Sequence, residues 1–307
     1  MELILNKRGQ SEYAWIFSLI IGAVIIFLAV FAAQKFKQTG GIQTQAETLR
    51  QFDILLNPFA SVGSITSMTL SKEIEMPYDV QLNVSCSSKD NFNELNIRTR
   101  SGKNYGSWLK EGYKIQDKYL FSGLIEGKKY WIFSKPFEMP WRVDDLIFIT
   151  DKSYCFDNPP EQIRREVDSL KSNALYVKEA AGCTAGSIEV CFGVRGCAIN
   201  VNYGLGFVKR DGETLAFSDD ATMYGAIFSD PKVYKCNFDR LIDRLRTQID
   251  INSQKAAVLE QRGCRTQALQ SSLAAMKSVF AGKLLGNYKN VAQEVEDQNP
   301  KECPVFD

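Results

Sequence analysis

The sequence contains no histidine in 307 residues. That absence excludes a Ser-His-Asp or Cys-His catalytic device, the zincin motifs and any histidine-ligated metal site. Histidine is also the commonest general acid–base group, so hydrolysis would have to run on carboxylates alone, as in glycosidases. No charge of either sign dominates: 37 Lys and Arg face 36 Asp and Glu, for a formal net charge of +1. Without a basic surplus to hold a phosphate backbone, a dedicated nucleic-acid binder is set aside. No cofactor motif is present. A Cys-lined metal site on Cys183, Cys191 and Cys197 is an alternative to disulfides there, but these residues lack the CxxC spacing of zinc sites.

What the chain does have is one long uncharged run. Ala14–Ala33, AWIFSLIIGAVIIFLAVFAA, holds 20 residues, and Ser18 is its only polar side chain. At about 1.5 Å per residue such a helix spans roughly 30 Å, the thickness of a bilayer core. A membrane helix is therefore expected near the N-terminus, with the rest of the chain on one side. Lys7 and Arg8 before the run nearly balance Lys35 and Lys37 after it, so the positive-inside rule favours a cytoplasmic N-terminus only slightly. The cysteines say more. All eight (Cys86, Cys155, Cys183, Cys191, Cys197, Cys236, Cys264 and Cys303) follow the run. An even number there fits disulfides in an oxidising compartment, against the alternative of eight buried thiols in a cytosolic protein. The body is expected outside the cytoplasm. Cys86–Cys155 and Cys191–Cys197 are the expected pairs, followed by Cys183–Cys236 and Cys264–Cys303.

Three fates are open to the anchor. It can stay as a tether. It can be removed as a signal peptide at Val30-Phe31-Ala32, although its apolar core is longer than the usual one. The third fate comes from Lys7-Arg8-Gly9-Gln10-Ser11-Glu12, just ahead of the run, which resembles the N-terminus of archaeal type IV pilin-like proteins. That resemblance implies a cut between Gly9 and Gln10 by a prepilin peptidase on the cytoplasmic side. The apolar helix would remain on the mature protein, in the membrane or packed into a filament core, with Glu12 as the nearby acid. The family's usual Ser and Glu fall third and fifth after the cut, whereas Ser11 and Glu12 fall second and third. The resemblance covers about the first 35 residues.

The remaining chain is long enough for one large or two ordinary domains. Ile42, Ala46, Leu49, Phe52 and Leu56 recur at helical spacing, so residues 41–58 read as an amphipathic stalk that ends at Asn57-Pro58. Residues 59–157 alternate like strands. In DVQLNVSC (Asp79–Cys86), Val80, Leu82 and Val84 share one face, and Leu95–Thr99, Tyr119–Ile125, Lys129–Ser134 and Asp145–Thr150 follow. About seven short strands with frequent turn signals suggest a sandwich or small barrel. Trp108, Tyr113, Tyr119, Tyr130, Trp131, Phe133, Phe137 and Trp141 crowd this segment. They fit a sandwich core better than a carbohydrate- or peptide-binding face. Phe137, Met139 and Trp141, around Pro140, read as an exposed contact loop.

Residues 158–307 read as a smaller α+β domain. Asn158-Pro159-Pro160 precedes a helix buried through Ile163, Val167 and Leu170. Ser187–Phe192 and Cys197–Asn202 are expected to form a hairpin, as are Gly206–Lys209 and Glu213–Phe217 around Arg210-Asp211-Gly212. Asp219-Asp220 read as an N-cap and first-turn charge for a helix to Phe228, rather than as catalytic carboxylates. From Asn237 to about Val295, two apolar stripes separated by Gly263 predict an antiparallel helical pair. The expectation is thus an α+β envelope protein with a single-pass anchor. It is not expected to be an enzyme, and its partners are a membrane and a protein (self-association included) or a glycan. An anchored hydrolase using carboxylates is the rival.

Overall fold

The computed structural model describes residues 19–21, 23–28, 30, 69–101, 103–193, 196–281 and 288–306. Gly9, Gln10 and Glu12, the flanks of the apolar run and the stalk expected at 41–58 lie outside the described residues. The chain divides into two units, Met1–Gln51 and Phe52–Asp307. In the first, the described residues of the apolar run are helical and exposed, Ile26 and Phe27 at 67% and 69%. Among the described residues, no helix is long and apolar enough to cross a membrane.

The second unit is α+β with two sheets. The first has the order β3-β2-β1-β6-β7-β5. Its strands are β1 (Thr69–Ser87), β2 (Phe92–Ser101), β3 (Asn104–Tyr105), β5 (Tyr119–Phe121), β6 (Leu124–Glu138) and β7 (Arg142–Thr150), with β4 (Tyr113–Gln116) paired to β2. Val80, Leu82 and Val84 are buried together, as their alternation requires. This is one sheet covered by helices rather than the expected sandwich. The stretch Tyr119–Ile125 is two strands, split at Ser122-Gly123.

The second sheet runs β13-β12-β11-β10-β8-β9. Its strands are β8 (Tyr154–Asp157), β9 (Leu175–Val177), β10 (Ile188–Phe192), β11 (Ile199–Asn202), β12 (Phe207–Arg210) and β13 (Glu213–Ala216). The β12–β13 hairpin forms as expected. Asp211 and Gly212 both have positive φ, 50° and 76°, as a two-residue hairpin turn requires. The other expected hairpin does not form, because β10 and β11 are parallel. Both strands are so short that the loop between them reaches back to the start of the pair. Cys191–Cys197 closes that loop.

Among the described residues, five helices complete the unit: α1 (Glu161–Ser169), α2 (Asp220–Phe228), α3 (Pro231–Gln261), α4 (Gln267–Ala281) and α5 (Tyr288–Asp297). α2 is the centre. Every residue from Ala221 to Phe228 is buried, and a helix buried on all sides needs partners on all sides. It packs on β5, β6 and β7 of one sheet and on β12 and β13 of the other. Phe228 meets Phe133 and Phe148 of the first sheet and Tyr154 of the second, at ring-centroid distances of 6.3, 5.6 and 4.8 Å. Burying each large side chain of this kind contributes roughly 1.5–3 kcal/mol. A continuous core therefore joins the stretches 59–157 and 158–307, which the sequence suggested as separate domains.

The expected helical pair is present. Its first helix starts earlier than Asn237, at Pro231, with Asp230 capping Lys232 N–H. Arg246 bonds the Phe280 carbonyl, Asp250 pairs with Lys277, and Ala256 O accepts from Thr266. Numbers rise along α3 as they fall along α4, so the two are antiparallel. Gly263, at φ 97°, turns the chain between them.

All eight cysteines are in disulfides. Cys191–Cys197 and Cys264–Cys303 pair as expected. Cys86 pairs with Cys236, not Cys155, and Cys155 pairs with Cys183. The reason is architectural. Cys86 lies in β1 of the first sheet, on which the first turns of α3 rest. Cys155 lies in the second sheet beside the loop after β9.

Candidate functional site

A cleft of about 400 Å³ opens where the β6–β7 turn meets the start of α2 and the middle of α5. Lys135, Glu138, Met139, Asp219, Asp220 and Glu296 are among its lining residues. Behind it lies a buried polar network. Lys135 Nζ is 2.5 Å from Glu166 Oε1 of α1, with the two side chains only 10% and 8% exposed. Tyr224 of α2 donates its hydroxyl to the other Glu166 oxygen at 3.0 Å. A buried charge pair of this kind is tolerable only because its remaining polar atoms find partners.

A second group sits beside it. Tyr203 donates to Asp220 Oδ1 at 2.7 Å, and Gln162 donates to Asp220 Oδ2 at 2.6 Å and to the Tyr203 oxygen at 2.5 Å. Burial, then the Asp220 charge, pushes the Tyr203 phenol up. Burial likewise raises the Tyr224 phenol well above its usual range, with Glu166 adding to it. Both hydroxyls therefore stay protonated donors.

Asp219 is the N-cap of α2. Its Oδ1 accepts from Thr222 N–H at 2.8 Å, and the Thr222 hydroxyl reaches back to complete a capping box. The capping reading of the acid pair thus holds. Burial pushes the Asp219 carboxyl up to about 6, against the opposing hydrogen bonds from Thr222. The cleft mouth combines carboxylates from three elements with one buried amine, which suits hydrogen bonding to a polar ligand and leaves carboxylate acid–base chemistry open.

The expected contact loop is corrected. Phe137, Met139 and Trp141 are buried, at 0%, 2% and 7% exposure. Trp141 Nε1 donates to Gln248 Oε1 at 2.8 Å, and its ring lies 4.9 Å from that of Phe306. Met139, joined to Pro140 by a cis peptide, forms part of the cleft wall. The sequence reading missed Lys135 and Glu166. The signal for Lys135 was there: a lone charge inside the apolar strand YWIFSKPF.

The metal alternative is also corrected. Glu189, Cys191 and Cys197 lie within 4.8 Å of one another, but the two sulfurs are bonded together and Cys183 is joined to Cys155. Disulfide sulfurs are not thiolate ligands. The nearby carboxylates hold a lysine: Lys178 Nζ is 3.0 Å from Asp157 and 2.7 Å from Glu189.

No protein-family model matches the chain, and no curated protein or solved structure matches it either.

Proposed function

We propose that this chain is a single-pass membrane protein, anchored near its N-terminus. Its body lies on the extracytoplasmic side and serves a structural or binding role toward a protein or a glycan. The observation that carries this reading is the pairing of all eight cysteines in a body that follows the apolar run. Cytosolic reductants keep such thiols free, whereas an oxidising compartment keeps them paired. The exposed apolar side chains between residues 19 and 30 support the anchor.

Thiol counting on freshly isolated, denatured and non-reduced protein tests the location. No free thiol is expected, and eight titratable thiols would sink it. N-terminal sequencing of the chain taken from membranes then separates the fates of the anchor. An uncut start marks a tether. Gln10 as first residue marks the pilin-like cut. A start beyond Ala32 marks signal-peptide removal. We favour the tether, because Glu12 stands off the family's spacing and the body is large for a pilin. In a filament core, Glu12 would need a partner charge such as the new amino group of Gln10. Glu12→Gln would then reduce assembly without affecting insertion.

The cleft carries a second reading, an anchored hydrolase working with carboxylates. Its observation is the convergence of Glu138, Asp219, Asp220 and Glu296 on one opening. Assay of the full chain on polysaccharide substrates, with Asp220→Asn as control, decides between the two. Hydrolysis that Asp220→Asn abolishes would displace the binding role.

A further inference from the structure

The aromatic residues of the first sheet divide into two sets. Tyr119, Tyr130, Phe133, Phe137 and Trp141 belong to the core. Tyr105, Trp108 and Tyr113 lie outside it, and they lie among cations. Residues 98–114 carry five basic side chains and one acidic in a chain that is otherwise balanced. The Arg98 guanidinium stands 4.5 Å from the Trp108 ring centre and 5.4 Å from that of Tyr105. Arg100 stands 5.8 Å from the Tyr105 ring, and Lys114 stands 5.0 Å from Phe92. Arg100, Lys103, Lys110 and Lys114 are exposed.

The usual reading of surface charge is a solvated face whose cations and anions alternate. Here three of the five cations, Arg98, Arg100 and Lys114, also rest on rings, and Glu94 pairs across the strands with Lys114. Arg100 has one acidic neighbour, the partly exposed Asp79 at 3.6 Å. The face is also separate from the acidic cleft. Val80 of β1 pairs with Thr99 on one side and Gly127 on the other, so the end of β2 lies level with Gly127. The cleft lies at the Glu138 end of β6, roughly 35 Å away at about 3.3 Å per residue.

We propose that this basic, aromatic face docks on the anionic lipid headgroups of the membrane that holds the N-terminal helix, an inference that rests on the anchor reading above. Phosphate headgroups supply further anions to a segment where basic residues outnumber acidic ones, and Trp and Tyr favour the bilayer interface, where the ring meets apolar chains and the polar atom meets water. A neutral glycan would use the rings and leave the cations idle. Val30 and Thr69 are 38 intervening residues apart, so the tether holds the face at high effective concentration near the surface and weak contacts suffice.

The test uses the full chain in nanodiscs of phosphatidylcholine, with and without phosphatidylglycerol, read by amide hydrogen exchange. Residues 98–114 should exchange several-fold more slowly in the anionic disc, and about 0.5 M salt should erase the difference. The triple variant R100E, K103E, K110E should erase it as well, each lost basic residue being worth on the order of fivefold in surface affinity. Equal exchange in the two discs, with the chain inserted, overturns the proposal and leaves the anchor standing. A chain that copurifies with neither disc overturns the anchor. Flotation of that chain with vesicles of the same anionic lipids then reads the face directly, and failure to float overturns the docking too.

Discussion

A Cβ built on Gly225 would stand 2.8 Å from Cδ1 of Phe121, closer than packed carbon atoms approach. Gly225 is in the middle of α2, where glycine costs about 1 kcal/mol of helix propensity relative to alanine. The close approach of α2 to β5 explains why a glycine stands there. Gly225→Ala should therefore destabilise the protein by about 1–3 kcal/mol despite its better propensity. Phe121→Leu should cost less when combined with Gly225→Ala than the two changes cost separately. Urea unfolding of all four proteins checks this, and strict additivity would refute the contact.

The Lys135–Glu166 pair should behave as a buried charge pair. Lys135→Met leaves Glu166 without its cation and should cost about 3–5 kcal/mol. Glu166→Gln keeps an acceptor for Tyr224 and should cost less. Chemical denaturation gives both values, and equal small losses would mean that water already reaches the pair.

Asp219 predicts a pH dependence with a definite sign. Its folded carboxyl is raised to about 6, above the usual 3.8 of an aspartate. The folded state therefore holds its proton more tightly than the unfolded state. The associated stability is present below about pH 4 and is lost as pH rises through 6, on the order of 1–3 kcal/mol. Asp219→Asn keeps the cap and should flatten this part of the stability profile. Asp219→Ala should also lose about 1 kcal/mol of capping at all pH values. Melting curves between pH 4 and 7 distinguish the two.

Cys86–Cys236 closes the longest loop of the four disulfides, with a sequence separation of 150. Replacing both cysteines by serine should cost about 2–5 kcal/mol, chiefly through the freed unfolded chain. Non-reducing peptide mapping should recover the peptides of Cys86 and Cys236 together. Recovery of Cys86 with Cys155 would contradict the way α3 lies on the first sheet.

Much of this protein could be read along the chain, because the signals involved are local. The Asp219 cap sits three residues from its Thr222 partner, and the Asp211-Gly212 turn is set by two φ angles. The apolar stripes of α3 and α4 show directly as helical spacing, and the short link at Gly263 leaves the two helices little choice but to run antiparallel. Val80, Leu82 and Val84 needed only the two-residue period of a strand. The uncharged length of Ala14–Ala33 is likewise a property of the sequence alone.

Tertiary structure decided what depends on which elements stack. Alternation marks β10 and β11 as strands but carries no direction, and β10 takes its parallel direction beside β8. Trp141 beside Pro140 reads as a loop until α3 and the C-terminal Phe306 cover it. Eight cysteines announce disulfides, but 105 connectivities satisfy the count. Only the packing of α3 on the first sheet brings Cys236 to Cys86. The cleft is of the same kind. Its carboxylates come from β6, the start of α2 and α5, more than 150 residues apart in sequence from Glu138 to Glu296, and they meet through the packing of these elements around the buried helix α2.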